Sequence, residues 1–110
     1  MLEDAPGRKD DVDKLRYDLI PPEAMAGLAY VYTIGAKKYA DRNWEQGIKY
    51  SRVVGALLSH LFLWLVGEEI DKDNGQRHID SVVWNAVALS TYTARGMTEF
   101  DDLPGRKITK

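Results

Sequence analysis

The strongest constraint on the fold is an apolar run at residues 51–66, SRVVGALLSHLFLWLV. From Val53 onward it is interrupted only by Gly55, Ser59 and His60. Ser51 suits the N-cap position, so the run predicts a helix from Ser51 to Val66, which is too short to span a membrane. A helix that is apolar on all sides has to be covered on all sides. Two other helices of one chain can hardly do this, so we expect a second copy of the chain to complete the bundle.

Two further helices flank this run. The first is predicted over residues 22–39, because proline suits the first helical position and Glu23 suits the positive end of the helix dipole. Its apolar stripe has helical spacing and consists of Met25, Leu28, Ala29 and Tyr32. The other is predicted over residues 77–95, followed by Gly96 as its C-terminal cap. No long stretch alternates as a strand does, so the fold class is all-α, a small bundle of about three main helices completed by oligomerisation.

The length of 110 residues predicts a single all-α domain, with a polar arm at residues 1–13 and a tail at residues 97–110. The chain has no cysteine, which excludes disulfides and thiolate zinc sites and favours a reducing compartment. It opens without the basic and apolar pattern of an export leader, so we expect a cytoplasmic protein. The net charge of −2 gives no electrostatic footprint for duplex nucleic acid.

An acidic bend, GEEIDKDNGQRHID at residues 67–80, follows the apolar run. If the helices on either side form an antiparallel hairpin, the side chains near one end of it are Glu68, Glu69, Asp71, His78 and Asp80. Carboxylates this close repel one another, and a bound cation relieves the repulsion. Oxygen ligands shared with phosphates suit Mg²⁺ or Mn²⁺. We therefore expect these carboxylates to hold a metal, with His78 as the base and Glu68 as a second catalytic group.

Two other interpretations of the bend compete with a metal site. A calcium loop beginning at Asp71 needs glycine at its sixth position and glutamate at its twelfth, whereas Gly75 is fifth and Val82 is twelfth. The calcium interpretation therefore fails. A solvated loop remains an alternative, because charged residues between two helices are ordinary.

His60 lies in the middle of the most apolar helix. It precedes Glu68 by about 12 Å along a helix axis, so one ion should not reach both His60 and the bend. Hairpin pairing places His60 roughly level with Trp84 and Asn85. We therefore expect a structural histidine that is buried and hydrogen-bonded to a neighbour such as Asn85.

Basic side chains flank the first helix and are candidates for binding an anionic substrate. They are Lys14, Arg16, Lys37, Lys38 and Arg42. Arginine grips phosphate oxygens with two donors and lysine supplies a point charge, although surface cations also serve solubility alone. Asn43 offers a donor and an acceptor for a base edge, and Trp44 offers a stacking face. The alternative is that Trp44 covers the core while Asn43 makes a turn.

Three sequence blocks occur in order and at a characteristic spacing: KLRYDLIPPEA at 14–24, GAKKYADRNWEQG at 35–47 and GEEIDKDNGQRHID at 67–80. Together they resemble the phage-type dATP/dGTP diphosphohydrolase N-terminal-domain family, which is grouped with the MazG-like all-α nucleoside triphosphate pyrophosphohydrolases. The likeness spans about residues 9–93. It implies a helical, oligomeric fold, a divalent metal, and cleavage of a purine deoxynucleoside triphosphate to the monophosphate and pyrophosphate.

The resemblance also implies functional positions, which by matching blocks are Lys14, Arg16, Asp18, Lys37, Lys38, Tyr39, Asn43, Trp44, His60, Glu68, Asp71, Gly75 and His78. The chain departs from the pattern where Ser59 stands for an arginine and Ser81 for a second histidine. It also lacks the Glu-Glu-x-x-Glu motif of the wider group. An incomplete acid set suits a protein that binds a nucleotide without cleaving it, and a helical oligomer without a ligand is a third interpretation.

Overall fold

The computed structural model describes residues 7–8 and 12–106. Three long helices account for most of this part of the chain, namely α1 (Pro22–Tyr39), α2 (Tyr50–Leu65) and α3 (His78–Ala94). Short 3₁₀ turns lie at Tyr17–Leu19, Asn43–Gln46 and Thr98–Phe100. The described residues form no strand, only an isolated antiparallel bridge between Ile70 and Arg77. The prediction of an all-α bundle is confirmed.

The helix boundaries follow the sequence signals with one correction. α1 begins at Pro22, as predicted, and α3 ends before Gly96, whose φ of +68° suits a glycine. Ser51 is not the N-cap of α2, because it lies inside the first turn. Its backbone N–H and its hydroxyl instead donate to the carboxylate of Asp102, at 2.8 and 2.6 Å. Asp102 therefore satisfies donors at the start of α2 from far along the chain.

The core lies where α3 packs against α2 and α1. Its buried apolar residues are Tyr50, Val53, Ala88 and Tyr92, and the rings of Tyr50 and Tyr92 stack with their centroids 6.0 Å apart. Met97, Phe100 and Leu103 pack against this cluster. Residues 97–103, which the sequence predicted as part of a tail, thus belong to the core. Residues 1–6 and 9–11 of the predicted arm and residues 107–110 lie outside the described residues.

A large apolar surface is left uncovered on α2. We call Leu58, Phe62, Leu65 and Val66 the outer face of α2; the exposed fractions of Phe62 and Val66 are 61% and 81%. A single copy therefore covers only part of the apolar run. In the part of the chain that the structure describes, no helix is both long and apolar enough to cross a membrane.

Candidate functional site

Two histidines meet where α2 and α3 come together. Nδ1 of His60 lies 2.8 Å from Nδ1 of His78, and Nε2 of His78 lies 2.8 Å from Oε2 of Glu68. His78 is 1% exposed. The side chains of His60, His78 and Glu68 thus form a continuous hydrogen-bonded row that ends at a partly exposed carboxylate.

The end of α2 turns Glu68 back toward this row. Gly67 has a φ of +98°, its N–H donates to the carbonyl of Trp64, and the N–H of Glu68 donates to the carbonyl of Leu63. These two bonds form a Schellman motif, which ends a helix and reverses the chain. The N–H of His78 then donates to the carbonyl of Glu69, which fixes the start of α3 beside the end of α2.

The bend that follows brings Asp71 to the histidines. The N–H of Asp71 donates to the carbonyl of Gln76 at 2.7 Å, and the N–H of Gly75 donates to the carbonyl of Asp71 at 2.8 Å. One ligand atom each from His60, Asp71 and His78 lie within 4.8 Å of one another. This spacing could place all three around a single ion. We call His60, Glu68, Asp71 and His78 the polar corner.

Hydrogen bonding sets the protonation of the polar corner. The hydrogen bond from His78 lowers the pKa of Glu68, so Glu68 is a carboxylate and accepts the proton on Nε2 of His78. In the neutral tautomer of His78 that donates through Nε2, Nδ1 carries a lone pair and can accept from Nδ1 of His60. Burial and the neighbouring His78 lower the pKa of His60, and the charge of Asp71 acts in the opposite direction. Neutral imidazoles are the form that binds metals.

The structure corrects the expectation for His60. Its partner is His78, whereas Nδ2 of Asn85 donates to the carbonyl of Ser81. The expectation that one ion could not reach both His60 and the bend was also wrong. It failed because the bridge between Ile70 and Arg77 closes the bend on itself. α3 therefore starts level with His60, and the bend folds over it.

The remaining predicted ligands lie elsewhere. Glu68 holds His78 from the side opposite His60, and Glu69 is exposed. Asp80 is buried against α1, where a Cβ added to Gly27 would lie 2.5 Å from its Oδ1. Its other oxygen lies 3.8 Å from Nε of Arg77. Asp80 of α3 therefore packs against Gly27 of α1. Asp71 is the predicted carboxylate ligand that lies beside both histidines.

A cleft of about 1380 Å³ opens beside His60, between α1 on one side and α2 and α3 on the other. Of the side chains predicted to bind substrate, those that line it are Lys38, Arg42, Asn43 and Trp44. Lys14 and Arg16 line a separate depression, where Arg16 is paired with Asp18 at 2.8 Å. Lys37 is exposed on the last turn of α1. The predicted basic side chains are thus divided between the cleft and other surfaces.

Two cleft cations, Lys49 and Arg52, were not predicted from the sequence. Arg52, Ala56 and His60 all line the cleft and are spaced four residues apart on α2, so they share one face of the helix. That spacing is visible in the sequence and would have indicated Arg52 once His60 was assigned to a site.

Trp44 belongs mainly to an aromatic cluster that forms the wall of the cleft. Its ring centroid lies 5.6 Å from that of Tyr32, 5.9 Å from that of Trp84 and 6.0 Å from that of Tyr92. Its carbonyl accepts a hydrogen bond from the hydroxyl of Tyr92. Trp44 therefore covers the core, as the alternative interpretation predicted, and presents only part of its surface to the cleft.

Comparison with known proteins agrees with this architecture. A family model described as dATP/dGTP diphosphohydrolase, N-terminal, matches residues 4–102, which is most of the chain. The chain belongs to this family. The family resemblance read from the three sequence blocks is thereby confirmed. No significant match was found among curated proteins or among solved structures. In this member of the dATP/dGTP diphosphohydrolase N-terminal family, the polar corner and the cleft lie within the matched region.

Proposed function

We propose that the chain binds a purine deoxynucleoside triphosphate together with a divalent metal and hydrolyses it to the monophosphate and pyrophosphate. The observation that carries this proposal is the grouping of His60, Asp71 and His78 at a cleft with four cationic side chains, in a member of this family. Those cations are Lys38, Arg42, Lys49 and Arg52. A triphosphate needs such positive charge to neutralise its oxygens as it reacts.

The donor atoms at the polar corner favour Mn²⁺ over Mg²⁺. Two imidazole nitrogens and one carboxylate oxygen are a set that transition metals accept, whereas Mg²⁺ prefers oxygen ligands and retains its waters. We therefore narrow the expected cofactor from Mg²⁺ or Mn²⁺ to Mn²⁺. A bound Mn²⁺ supplies charge neutralisation and lowers the pKa of a bound water.

The chain's own residues have separate parts in this proposal. Burial and two hydrogen bonds suit His78 to hold an ion, although its sequence context predicted a base. Glu68 acts as a positioning residue, because its carboxylate keeps the proton on Nε2 of His78 and leaves Nδ1 free for the metal. His60 would bind from α2 through Nδ1 in the neutral tautomer that carries its proton on Nε2. The cleft cations supply positive charge to a nucleotide that lies along the cleft.

A second candidate function is nucleotide binding without cleavage. The observation that favours it is that Asp71 is the one carboxylate in the group of ligands found among residues 7–8 and 12–106. Metal-dependent phosphoryl transfer commonly uses more than one carboxylate ligand. A protein of this kind would hold the nucleotide and its metal, and would release no pyrophosphate.

One experiment separates these functions. Pyrophosphate release and thermal shift are measured with deoxynucleoside triphosphates and either Mn²⁺ or Mg²⁺, for the parent, for Asp71→Asn and for the matched control Asp73→Asn. We expect pyrophosphate release that depends on Mn²⁺ and falls by at least about tenfold in Asp71→Asn. Release should persist in Asp73→Asn, which alters an exposed acidic residue of the same bend. A thermal shift without release indicates the binding function. If the parent shows neither pyrophosphate release nor a thermal shift, both proposed functions are contradicted.

We also propose that the protein is a homo-oligomer whose second copy covers the outer face of α2. The observation behind this proposal is that Leu58, Phe62, Leu65 and Val66 are 41%, 61%, 61% and 81% exposed, although monomeric proteins rarely leave large contiguous apolar patches uncovered. The exposed apolar side chains before α1, among them Leu15, Tyr17 and Leu19, add to the surface available for the contact.

A further inference from the structure

Three buried polar side chains line the cleft, one just before α3 and two on it. Gln76, Ser81 and Asn85 are 7%, 3% and 6% exposed, and all three line the cleft. The hydroxyl of Ser81 donates to Oε1 of Gln76 at 2.9 Å, and Nδ2 of Asn85 donates to the carbonyl of Ser81 at 2.8 Å. Buried polar groups of this kind are costly unless they are paired, so their arrangement is fixed.

The hydrogen bond of Nδ2 fixes which atom Asn85 offers to the cleft. Within residues 7–8 and 12–106, Oδ1 of Asn85 accepts no hydrogen bond, yet no fully buried side-chain polar atom lacks a partner. Oδ1 is therefore accessible, and the cleft is the space that Asn85 lines. The result is a fixed acceptor on a rigid helix, because rotating the amide would break the bond to Ser81.

The position of Asn85 suits the base end of a nucleotide. It lies seven residues after His78, which is about 10 Å along the axis of α3. That distance is comparable with the length of a nucleoside monophosphate. Asn85 is also tied to the polar corner, because Gln76 binds Ser81 by its side chain and Asp71 by its carbonyl. Asn85 thus lies between the polar corner and the level at which Tyr50 stacks on Tyr92, so a nucleotide that extends along the cleft from the polar corner passes it.

Asn43, which the sequence indicated for reading the base, is less suited to the task. It is exposed, and its side chain makes no hydrogen bond within the described residues. A free amide can turn to present either its donor or its acceptor, so it accepts both amino and carbonyl groups of a base. Asn85 presents an acceptor only. The fixed amide of Asn85 can therefore distinguish a base that offers a donor from one that does not, whereas the free amide of Asn43 cannot.

We propose that Asn85 is the specificity-determining residue of the cleft, and that its Oδ1 accepts a hydrogen bond from the exocyclic amino group of a purine. This inference rests on the proposed nucleotide-binding function and adds the chemical class of base. Because the amino group is on C2 of guanine and on C6 of adenine, it predicts that at least one of these purines binds better than the same purine without its amino group. A site with a buried acceptor rejects a ligand that cannot donate to it, because the acceptor is then left unpaired.

The test compares dGTP with dITP, and dATP with the triphosphate of deoxypurine riboside, by calorimetric titration in the presence of Mn²⁺. We expect the parent to bind the amino-bearing member of at least one pair roughly tenfold more tightly. Asn85→Leu should reduce the ratio to about one. Asn85→Asp, which keeps an acceptor, should retain a preference for the amino group, and Asn43→Ala should retain the parent ratio.

The outcomes distinguish this inference from the function on which it rests. If the parent binds both members of each pair equally, or if Asn43→Ala removes the preference, the assignment of Asn85 is overturned while nucleotide binding stands. If the parent binds no nucleotide, the proposed function is overturned and this inference with it. The comparison of parent ratios requires no variant, so misfolding of Asn85→Leu, which melting would reveal, does not prevent a result.

Discussion

The polar corner and the outer face of α2 lie on the same helix but differ in how completely one chain satisfies them. At the polar corner, His60 and His78 bond to each other and Glu68 accepts from His78. On the outer face, Phe62, Leu65 and Val66 are exposed to solvent. Small proteins usually cover apolar side chains first. One copy therefore satisfies the polar corner but leaves the outer face of α2 exposed, and this exposed surface is what the proposed second copy would cover.

The largest expected effect comes from placing a charge on the outer face. Phe62→Glu should convert the oligomer into a monomer, because an unpaired carboxylate cannot be buried between two copies without a large cost. Analytical ultracentrifugation at micromolar concentration measures the mass. Asp73→Lys, a change of charge at an exposed position of the bend, should leave the oligomer intact. A parent that sediments as a 12.5 kDa monomer would overturn the proposal of an oligomer.

The next effect tests whether the polar corner is an intramolecular unit. His60→Leu and His78→Leu should each lower the free energy of unfolding by about 1–3 kcal/mol, because each leaves a partly buried partner unpaired. In a double-mutant cycle the two changes should be strongly non-additive. A matched cycle with Asn85→Leu in place of His78→Leu should show additivity, because Asn85 bonds to Ser81 instead of His60. Coupling in the second cycle, or its absence in the first, would contradict the structure.

A comparable effect concerns the contact between α1 and α3. Gly27→Ala should destabilise the protein by about 1–3 kcal/mol, because the new Cβ would lie 2.5 Å from Oδ1 of the buried Asp80. Gly35→Ala is the matched control on the same helix, where a Cβ meets nothing within 4 Å. It should stabilise the helix by about 0.5–1 kcal/mol. Thermal melting of both variants checks the difference; equal effects would contradict the close packing of Asp80 against Gly27.

The smallest effect is a pH dependence at the other end of α2. The hydroxyl and the N–H of Ser51 donate to Asp102 and hold its pKa below the usual value of 3.8. Because the pKa is lowered in the folded state, the stabilisation is present above the unfolded pKa and is lost as pH falls through the folded pKa. In Asp102→Asn, the loss of stability on acidification should therefore be smaller than in the parent. Melting temperatures between pH 5 and pH 2, with Asp73→Asn as the control, measure the difference; identical slopes would exclude this contribution.

Much of the fold was accessible from the sequence because the signals are local. Pro22 marked the start of α1, Gly96 the end of α3, and the apolar run the extent of α2 to within one residue at each end. The exposed outer face agrees with the expectation that one chain cannot cover that run, although the oligomer itself stays a prediction. The single-domain organisation and the cytoplasmic location also stay predictions.

The candidate site was accessible only in part. The sequence indicated His60, Asp71 and His78 as positions of interest by family resemblance, but an estimate along a helix axis separated His60 from the bend. That estimate assumed that the helix direction continues to Glu68. Gly67 reverses the chain instead, and no local rule gives the direction in which a reversed segment then folds.

The sequence by itself determined the three helices, the family and the chemical character of each surface, because helix formation and amphipathic pattern depend on residues a few positions apart. The tertiary structure alone decided which polar groups meet. His60 finds His78, Ser51 finds Asp102, and Asn85 is held by Ser81. The first two pairings join residues far apart in the sequence, and both depend on how the bend and residues 97–103 pack. A shift of one helical turn in that packing would give His60 a different partner without changing any local sequence signal.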